Sequence, residues 1–445
     1  MPSTPRKAPL KKTPSPTGWL IVQTRADGVA LRAWARLSGM EKIQIIKSAE
    51  IPALEARARE LSAPVIKIPA HWIAVPTGLD LQVHLRFPGQ PQKETLAGGL
   101  ESALYGGYDG LVSMPNTNPF LDTAEALRAA IESAKTGIAE YPVRVGFAAS
   151  ATKGMQGKEA TEIDELAAAG AVAITDDGWG VKYEKAQGAI FASCARHQIL
   201  FQQHAEMHGH GGVTPASVFQ AKQGLPIYPR SAESDMIRRD ITILRRHPSA
   251  RYHVLHVSTR ESVTEIRRAK DEGLKVSAEA TPHHLFFSNE DIPGDERSTY
   301  FKMNPPLFSP DDREALCEAL RDGTIDCVST DHAPHEKELK GKGWLVSPFG
   351  TRGMETALPA IMTLVSQGVI TLQRAVEVFS AEPRRVLARE EFAKPSGLLF
   401  VDPLKKFTVT TEDLPGISEN SCFLGAELTG CLELRAEPGA LYSRV

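Results

Sequence analysis

Along the chain, short β-branched apolar runs alternate with longer stretches whose apolar residues recur at helical spacing. From residue 76 onward the alternation is regular. Runs at 79–85, 110–114, 143–149, 171–175, 199–204, 252–257, 275–280 and 325–330 predict eight strands. Between two of them, Leu127, Ala130, Ile131 and Ala134 recur at i, i+3, i+4 and i+7 behind Asp122, a candidate helix cap. The stretches 262–270 and 310–320 read the same way, the second opening S-P-D-D with proline and acids in its first turn. Eight strands, each followed by helical sequence, predict an α/β fold: a closed (β/α)8 TIM-like barrel over 76–389. Before it, 19–24, 29–34, 43–46 and 65–68 predict strands and 53–61 a short helix. After it, 390–445 returns to short strands and turns punctuated by Pro395, Gly397, Pro403, Pro415 and Gly416. One small composite β domain, 19–75 together with 390–445, is therefore expected from both ends. Residues 1–18 are basic and Pro-rich with no apolar core. They predict a disordered tail, since a secretory signal carries an apolar stretch of ~7–15 residues.

Composition narrows the classes. Of 445 residues, 51 are Lys or Arg and 54 are Asp or Glu, a net charge of −3 that argues against a broadly basic nucleic-acid or membrane-surface binder. Five cysteines, an odd number with no C-x-x-C pair, argue against a disulfide framework and for a reducing compartment. No apolar run approaches the ~18 residues of a membrane span. The expectation is a cytoplasmic protein.

The polar residues at the strand ends carry the chemistry. Strand one offers Asp80, Gln82, His84 and Arg86, strand two Asn116, strand four Asp176 and Asp177, and strand five His204. His253 and His256 follow on strand six, His283 and His284 on seven, and Asp331, His332 and His335 on eight, so eight of the thirteen histidines fall at predicted strand ends. Any one of them is more often a hydrogen-bonded structural residue, and D-D-G is more often a turn. A closed barrel removes that independence, because all its strand ends open on one mouth. Imidazoles and carboxylates gathered there are costly unless a cation balances them. Mixed His/Asp ligands suit Zn²⁺ or a similar borderline metal.

The motifs V-H-L-R (83–86), M-P-N-T-N-P (114–119), T-D-D-G (175–178), Y-H-V-L-H-V-S-T (252–259), T-P-H-H-L (281–285), K-M-N-P-P-L (302–307), T-D-H-A-P-H (330–335) and P-F-G (348–350) occur in an order that resembles dihydroorotases. The likeness is to the bacterial type of this amidohydrolase whose metals are bridged by aspartate. The resemblance implies a reversible cyclisation of N-carbamoyl-L-aspartate to L-dihydroorotate, in de novo pyrimidine biosynthesis, over one or two zinc ions. It implies His84 and Asp331 on a buried metal, His204 and His256 on an outer one, Asp177 as the bridge and Asp331 as the catalytic proton shuttle. It further implies Arg86, Asn116 and His335 on the substrate carboxylate, with Asn304 and the backbone at Phe349–Gly350 on the ring.

This sequence departs from the family pattern D-x-H-x-H by placing Gln82 where a ligand histidine is expected. Amide oxygen is a poor zinc ligand beside imidazole nitrogen. Two metals with a weaker inner one, a single metal with activity retained, and a catalytically dead site all remain open. Phe87 and Phe308 replace an acid and an arginine usual in the family. His208 and His210 lie in a Gly-rich stretch that reads as an ordinary loop, with a replacement ligand as the lesser reading. The resemblance admits two alternatives: a non-catalytic structural partner of aspartate transcarbamoylase, favoured by Gln82, and an allantoinase- or hydantoinase-like enzyme, disfavoured by T-D-D-G in place of a bridging lysine. A homodimer is a further family-level expectation.

Overall fold

The computed structural model describes residues 10–207 and 212–444. His208 and His210 lie outside the described residues. Six strands precede the barrel: β1 (Leu10–Pro14), β2 (Gly18–Thr24), β3 (Ala30–Leu37), β4 (Gln44–Lys47), β5 (Val65–Pro69) and β6 (Ile73–Pro76). The barrel strands are β7 (Gly78–Val83), β8 (Tyr108–Ser113), β9 (Arg144–Ser150), β10 (Ala173–Thr175), β11 (Leu200–Gln203), β12 (Arg251–Val254), β13 (Val276–Ala280) and β14 (Cys327–Val328). Three more follow: β15 (Leu398–Thr408), β16 (Glu427–Glu437) and β17 (Ala440–Arg444).

Strands β7 to β14 form one sheet in chain order, each pair parallel. The cylinder closes where Val83 bridges His332 and the His84 amide donates to the His332 carbonyl at 2.9 Å. All eight predicted strands are present. The last differs most in length from the reading: β14 is only two residues, and just beyond it the Ser329 and Thr330 hydroxyls donate to Glu279 and Asp80.

Helices line the outside. The helix Ala124–Ala139 is capped by Thr123, whose hydroxyl accepts from the Ala126 amide. Asp122, the cap expected from sequence, instead accepts from the Gly154 amide at 2.8 Å and ties two barrel loops together. The predicted S-P-D-D start is a full capping box, Ser309 with Asp312, opening Pro310–Asp322.

The barrel floor is apolar. Leu79, Leu81, Val112, Met114, Ala148, Leu200 and Cys327 meet Val386 and Leu387 from the helix Glu382–Leu387 and Phe392 from the short turn after it. Gly110 and Gly146 make room for this plug: a Cβ on either would come within 3.0 or 3.2 Å of the Phe392 ring and closer still to Leu79 or Val172. The chemistry is thereby confined to the opposite, C-terminal end of the strands.

Two further sheets hold the chain ends. One runs β1-β17-β16-β15-β6, the other β4-β3-β2-β5. They share a core in which Trp19, Ile21, Trp34 and Ile68 face Phe400, Leu434, Ala436 and Leu441, with the Trp34 and Phe400 rings edge-on at 5.1 Å. The tail expected at 1–18 is corrected here. Residues 10–14 form an edge strand antiparallel to β17, with Leu10 buried against Leu104, Tyr105 and Tyr442. One buried leucine and a row of backbone hydrogen bonds suffice, although the segment's lysines point into solvent. Pro14 is tolerated because the strand is an edge.

The plug makes a direct stability prediction. Phe392→Ala should lower unfolding stability in a denaturant titration by about 3–5 kcal/mol, the usual result of emptying a buried aromatic site. A loss below about 1 kcal/mol would show that the floor does not depend on it.

Candidate metal centre

At the barrel mouth the side chains converge on Asp177. It follows β10, and its carboxylate is buried. One oxygen lies 3.6 Å from His204 Nδ1 and 3.7 Å from His256 Nε2, while the other is 3.1 Å from His84 Nε2. His84 Nε2 also meets Asp331 Oδ1 at 3.0 Å. Two three-residue groups result, Asp177/His204/His256 and His84/Asp177/Asp331, each with ligand-type atoms within 4.8 Å of one another. All five residues expected from sequence to hold metal are therefore brought together around one carboxylate.

The supporting contacts orient the rings as a metal site requires. His84 Nδ1 is held by Asn116 Oδ1 at 2.9 Å, which aims Nε2 at the carboxylates. His204 Nε2 is 3.2 Å from Glu206, so its Nδ1 faces His256 Nε2 at 3.0 Å. Asn304 donates to the same Glu206 oxygen at 2.9 Å. Two ring nitrogens aimed at each other and at a shared carboxylate fit a cation between them.

Electrostatics reflect the same crowding. Burial alone would raise the Asp177 carboxyl, but hydrogen bonds from His204, His256 and His84 hold it well below the usual carboxylate range. Burial opposes charging of His84 and His204, and their contacts to Asp177, with Asp331 and Glu206 respectively, outweigh it and lift them to about 9 and about 10. Backbone geometry is strained at the same places: Arg86, His256 and Asp331 have φ of 57°, 33° and 46°, in the left-handed region that non-glycine residues rarely occupy. Such strain persists where surrounding structure overrides it, and it gathers at functional sites.

Gln82 is fully buried beside this centre. Its Nε2 donates to Asp177 Oδ1 at 2.9 Å, and its Oε1 has no hydrogen-bond partner. Asp80, two residues earlier, is structural: it accepts from the Thr330 amide and hydroxyl across the closing seam. Asp176, the first acid of T-D-D-G, likewise accepts from the Ala151 and Thr152 amides.

A cavity of about 190 Å³ opens above the carboxylates, lined by His84, Arg86, Asn116, Asp177, Trp179, His204, His256, Asn304, Asp331, His335, Phe349 and Gly350. Burial lowers the Arg86 guanidinium to about 10, against the pull of Asp331, Asp177 and Glu336, so it stays charged at neutral pH. Its Nε donates to the Pro334 carbonyl and its Nη2 to His335 Nε2, both at 3.1 Å. Burial next to Arg86 keeps His335 neutral. Trp179, on the cavity wall, and Glu206, on His204, are site residues the sequence reading missed. Glu206 had a readable signal, standing two residues from His204.

A third group of ligand-type atoms, His253, Glu279 and Cys327, lies sealed inside the barrel. It is internally paired, His253 Nε2 to Glu279 Oε2 at 2.9 Å and His253 Nδ1 to Ser277 at 2.8 Å.

The profile of the dihydro-orotase-like family matches residues 72–262. A dihydroorotase of Staphylococcus epidermidis is 37% identical over 406 residues, 87% of this chain and 93% of its own length. The chain belongs to the dihydroorotase family. A relative of the same name from Elusimicrobium minutum is 36% identical over 413 residues, 91% of this chain and 94% of its own. Among solved structures, the L-hydantoinase of Arthrobacter aurescens shares the fold, with a TM-score of 0.77 at 23% identity over 95% of each chain. A dihydroorotase of Saccharomyces cerevisiae in complex with 5-fluoroorotic acid gives 0.64 at 16% identity, over 81% of this chain and 98% of its own. No helix among the described residues is long and apolar enough to cross a membrane.

The loop that brings Phe349 and Gly350 to the cavity hangs on two buried amines. Lys302 Nζ donates to the Ser347 carbonyl at 2.5 Å and also to that of Trp344, and Lys340 Nζ donates to the Pro348 carbonyl at 2.9 Å. Burial lowers these amines to about 8 and about 7. Below pH 7 both are charged at a cost to the folded state; above it the unfolded chain binds more protons, so stability rises toward the ordinary lysine range. Melting temperature should therefore rise between pH 6.5 and 9 by more in wild type than in Lys340→Met. Equal slopes in the two proteins would remove Lys340 as a cause.

Proposed function

We propose that the chain is an active, zinc-dependent dihydroorotase that interconverts N-carbamoyl-L-aspartate and L-dihydroorotate. The observation carrying this is the convergence of His84, His204, His256 and Asp331 on Asp177, beneath a cavity that also presents the Arg86 guanidinium. Zinc bound there would lower the pKa of a water toward ~7 and polarise the ring carbonyl.

The chain's own residues supply the rest. Arg86, steered by Pro334 and His335, offers a planar fork to a planar carboxylate, and Asn116 and His335 flank it. Asn304 and the Gly350 backbone border the place for the ring. Asp331 accepts the proton of the attacking water on a carboxylate oxygen and passes it to the ring nitrogen that departs on opening; in cyclisation the proton runs back. A cavity of about 190 Å³ suits one small ring carrying a carboxylate.

One observation favours a second reading: Gln82 stands among the ligands, as in a protein kept as a non-catalytic partner of aspartate transcarbamoylase, alone or as a homodimer. A scaffold has no physical need for the Arg86–His335 anion fork, and that weighs for the enzyme.

Purified zinc-loaded protein should hydrolyse L-dihydroorotate, and Asp331→Ala should lower kcat by at least ~10²–10⁴-fold, the scale of general acid–base catalysis. Wild type that holds zinc without turnover, with no gain in Gln82→His, would sink the enzyme reading. Arg86→Met should raise KM far more than it lowers kcat; an unchanged KM would remove Arg86 from carboxylate binding.

A further inference from the structure

The chain that links β15 to β16 does not stay with the terminal sheets. Its residues Val409, Cys422 and Phe423 pack with Phe301, Met303 and Leu307, from the stretch that carries K-M-N-P-P-L. Buried Arg352 fastens it further, its guanidinium donating to the Ser418 carbonyl at 2.6 Å and the Pro415 carbonyl at 2.5 Å. The Arg352 amide and the Thr351 hydroxyl donate to the Asn420 carbonyl at 2.9 and 3.1 Å. The linker is thereby fixed against the loops of the barrel mouth.

Asn420, buried in that seam, spends its side chain on two of those loops. Its Oδ1 accepts from the His335 amide at 2.9 Å. Its Nδ2 donates to the Ala333 carbonyl at 3.0 Å and to the Gly350 carbonyl at 3.1 Å. The oxygen meets an N–H and the nitrogen meets two carbonyls, so its partners fix which way the amide points. The two loops it joins touch each other. A Cβ on Gly350 would stand 2.7 Å from the Ala333 Cβ and 3.3 Å from His335 Cδ2.

The anion fork hangs on this bracket. His335 Nε2 and the Pro334 carbonyl, both in the stretch that Asn420 holds, take hydrogen bonds from the Arg86 guanidinium. A guanidinium reads a carboxylate through two parallel N–H bonds, which depend on its aim. Misplacement by ~1 Å at such a site can cost ~10²-fold.

We infer that Asn420 is a positioning residue for the substrate carboxylate. It does not line the cavity; it sets Arg86, His335 and the Gly350 backbone from a linker of the terminal β sheet. The identity of that carboxylate rests on the dihydroorotase reading above.

Two measurements on zinc-loaded protein test it: kinetics with L-dihydroorotate, and calorimetric binding of orotate, a planar ring carrying the carboxylate. Asn420→Ala should raise KM and the orotate Kd at least ~10-fold, with a smaller fall in kcat and unchanged zinc per chain. A merely structural contact would lower the melting temperature and the active fraction and leave KM and Kd as in wild type. That result would overturn the inference. Should Asn420→Ala not fold, the isosteric Asn420→Asp decides. It keeps an acceptor for the His335 amide but turns an oxygen toward the Ala333 and Gly350 carbonyls, and the same rise in KM and Kd is expected; unchanged values would again overturn the inference. Wild type that binds orotate without turning over dihydroorotate, with binding weakened in Asn420→Ala, would overturn the enzymatic reading and support the bracket. Wild type that turns over dihydroorotate with a KM indifferent to residue 420 would do the reverse.

Discussion

A carboxylate buried among imidazoles is the constraint on which the mouth of this barrel depends. Removing Asp177 from water is costly, and three histidines from three strand ends offset that cost through charge-assisted contacts. Each histidine then needs its own support: Asn116 for His84, and Glu206 with Asn304 for His204. The shell around the centre is thus a consequence of the centre. The left-handed backbone at His256 and Asp331 belongs to the same account, since these residues leave their strands abruptly to reach one point.

The barrel makes such a point possible by keeping its two ends chemically apart. The floor is filled by Phe392 and its apolar neighbours, and polar groups lower in the barrel pair with each other, as His253 does with Glu279. At the mouth, by contrast, imidazoles and carboxylates are gathered on one point. Gln82 places a neutral amide there, its nitrogen on Asp177 and its oxygen without a partner.

Much of this was legible in the sequence. Eight β-branched runs announced the barrel because parallel strands buried on both faces are read as continuous apolar segments. The metal-facing residues were legible because motifs at strand ends acquire a common destination once the barrel closes. What escaped did so for local reasons. β1 carries a single buried leucine among lysines and a proline, and β6 is four residues whose partner, β15, lies more than three hundred positions away. Of eight histidines at predicted strand ends, His253, His283, His284 and His332 are buried structural groups. His332, for instance, accepts from the Gly353 amide at 3.3 Å. Spacing alone could not separate them from His84, His204 and His256, because the distinction lies in which neighbours each ring meets. Lys302 and Lys340 were invisible for the opposite reason: lysine normally signals surface, and here two of them are interior struts for the loop at the rim.

Asp177 is the carboxylate that both halves of the centre share. Asp177→Asn preserves the shape and removes the charge, so zinc content per chain after dialysis, compared with wild type, tests it most directly. At least one zinc in wild type and none in the variant is the predicted result. A variant that retains zinc as tightly as wild type would contradict it.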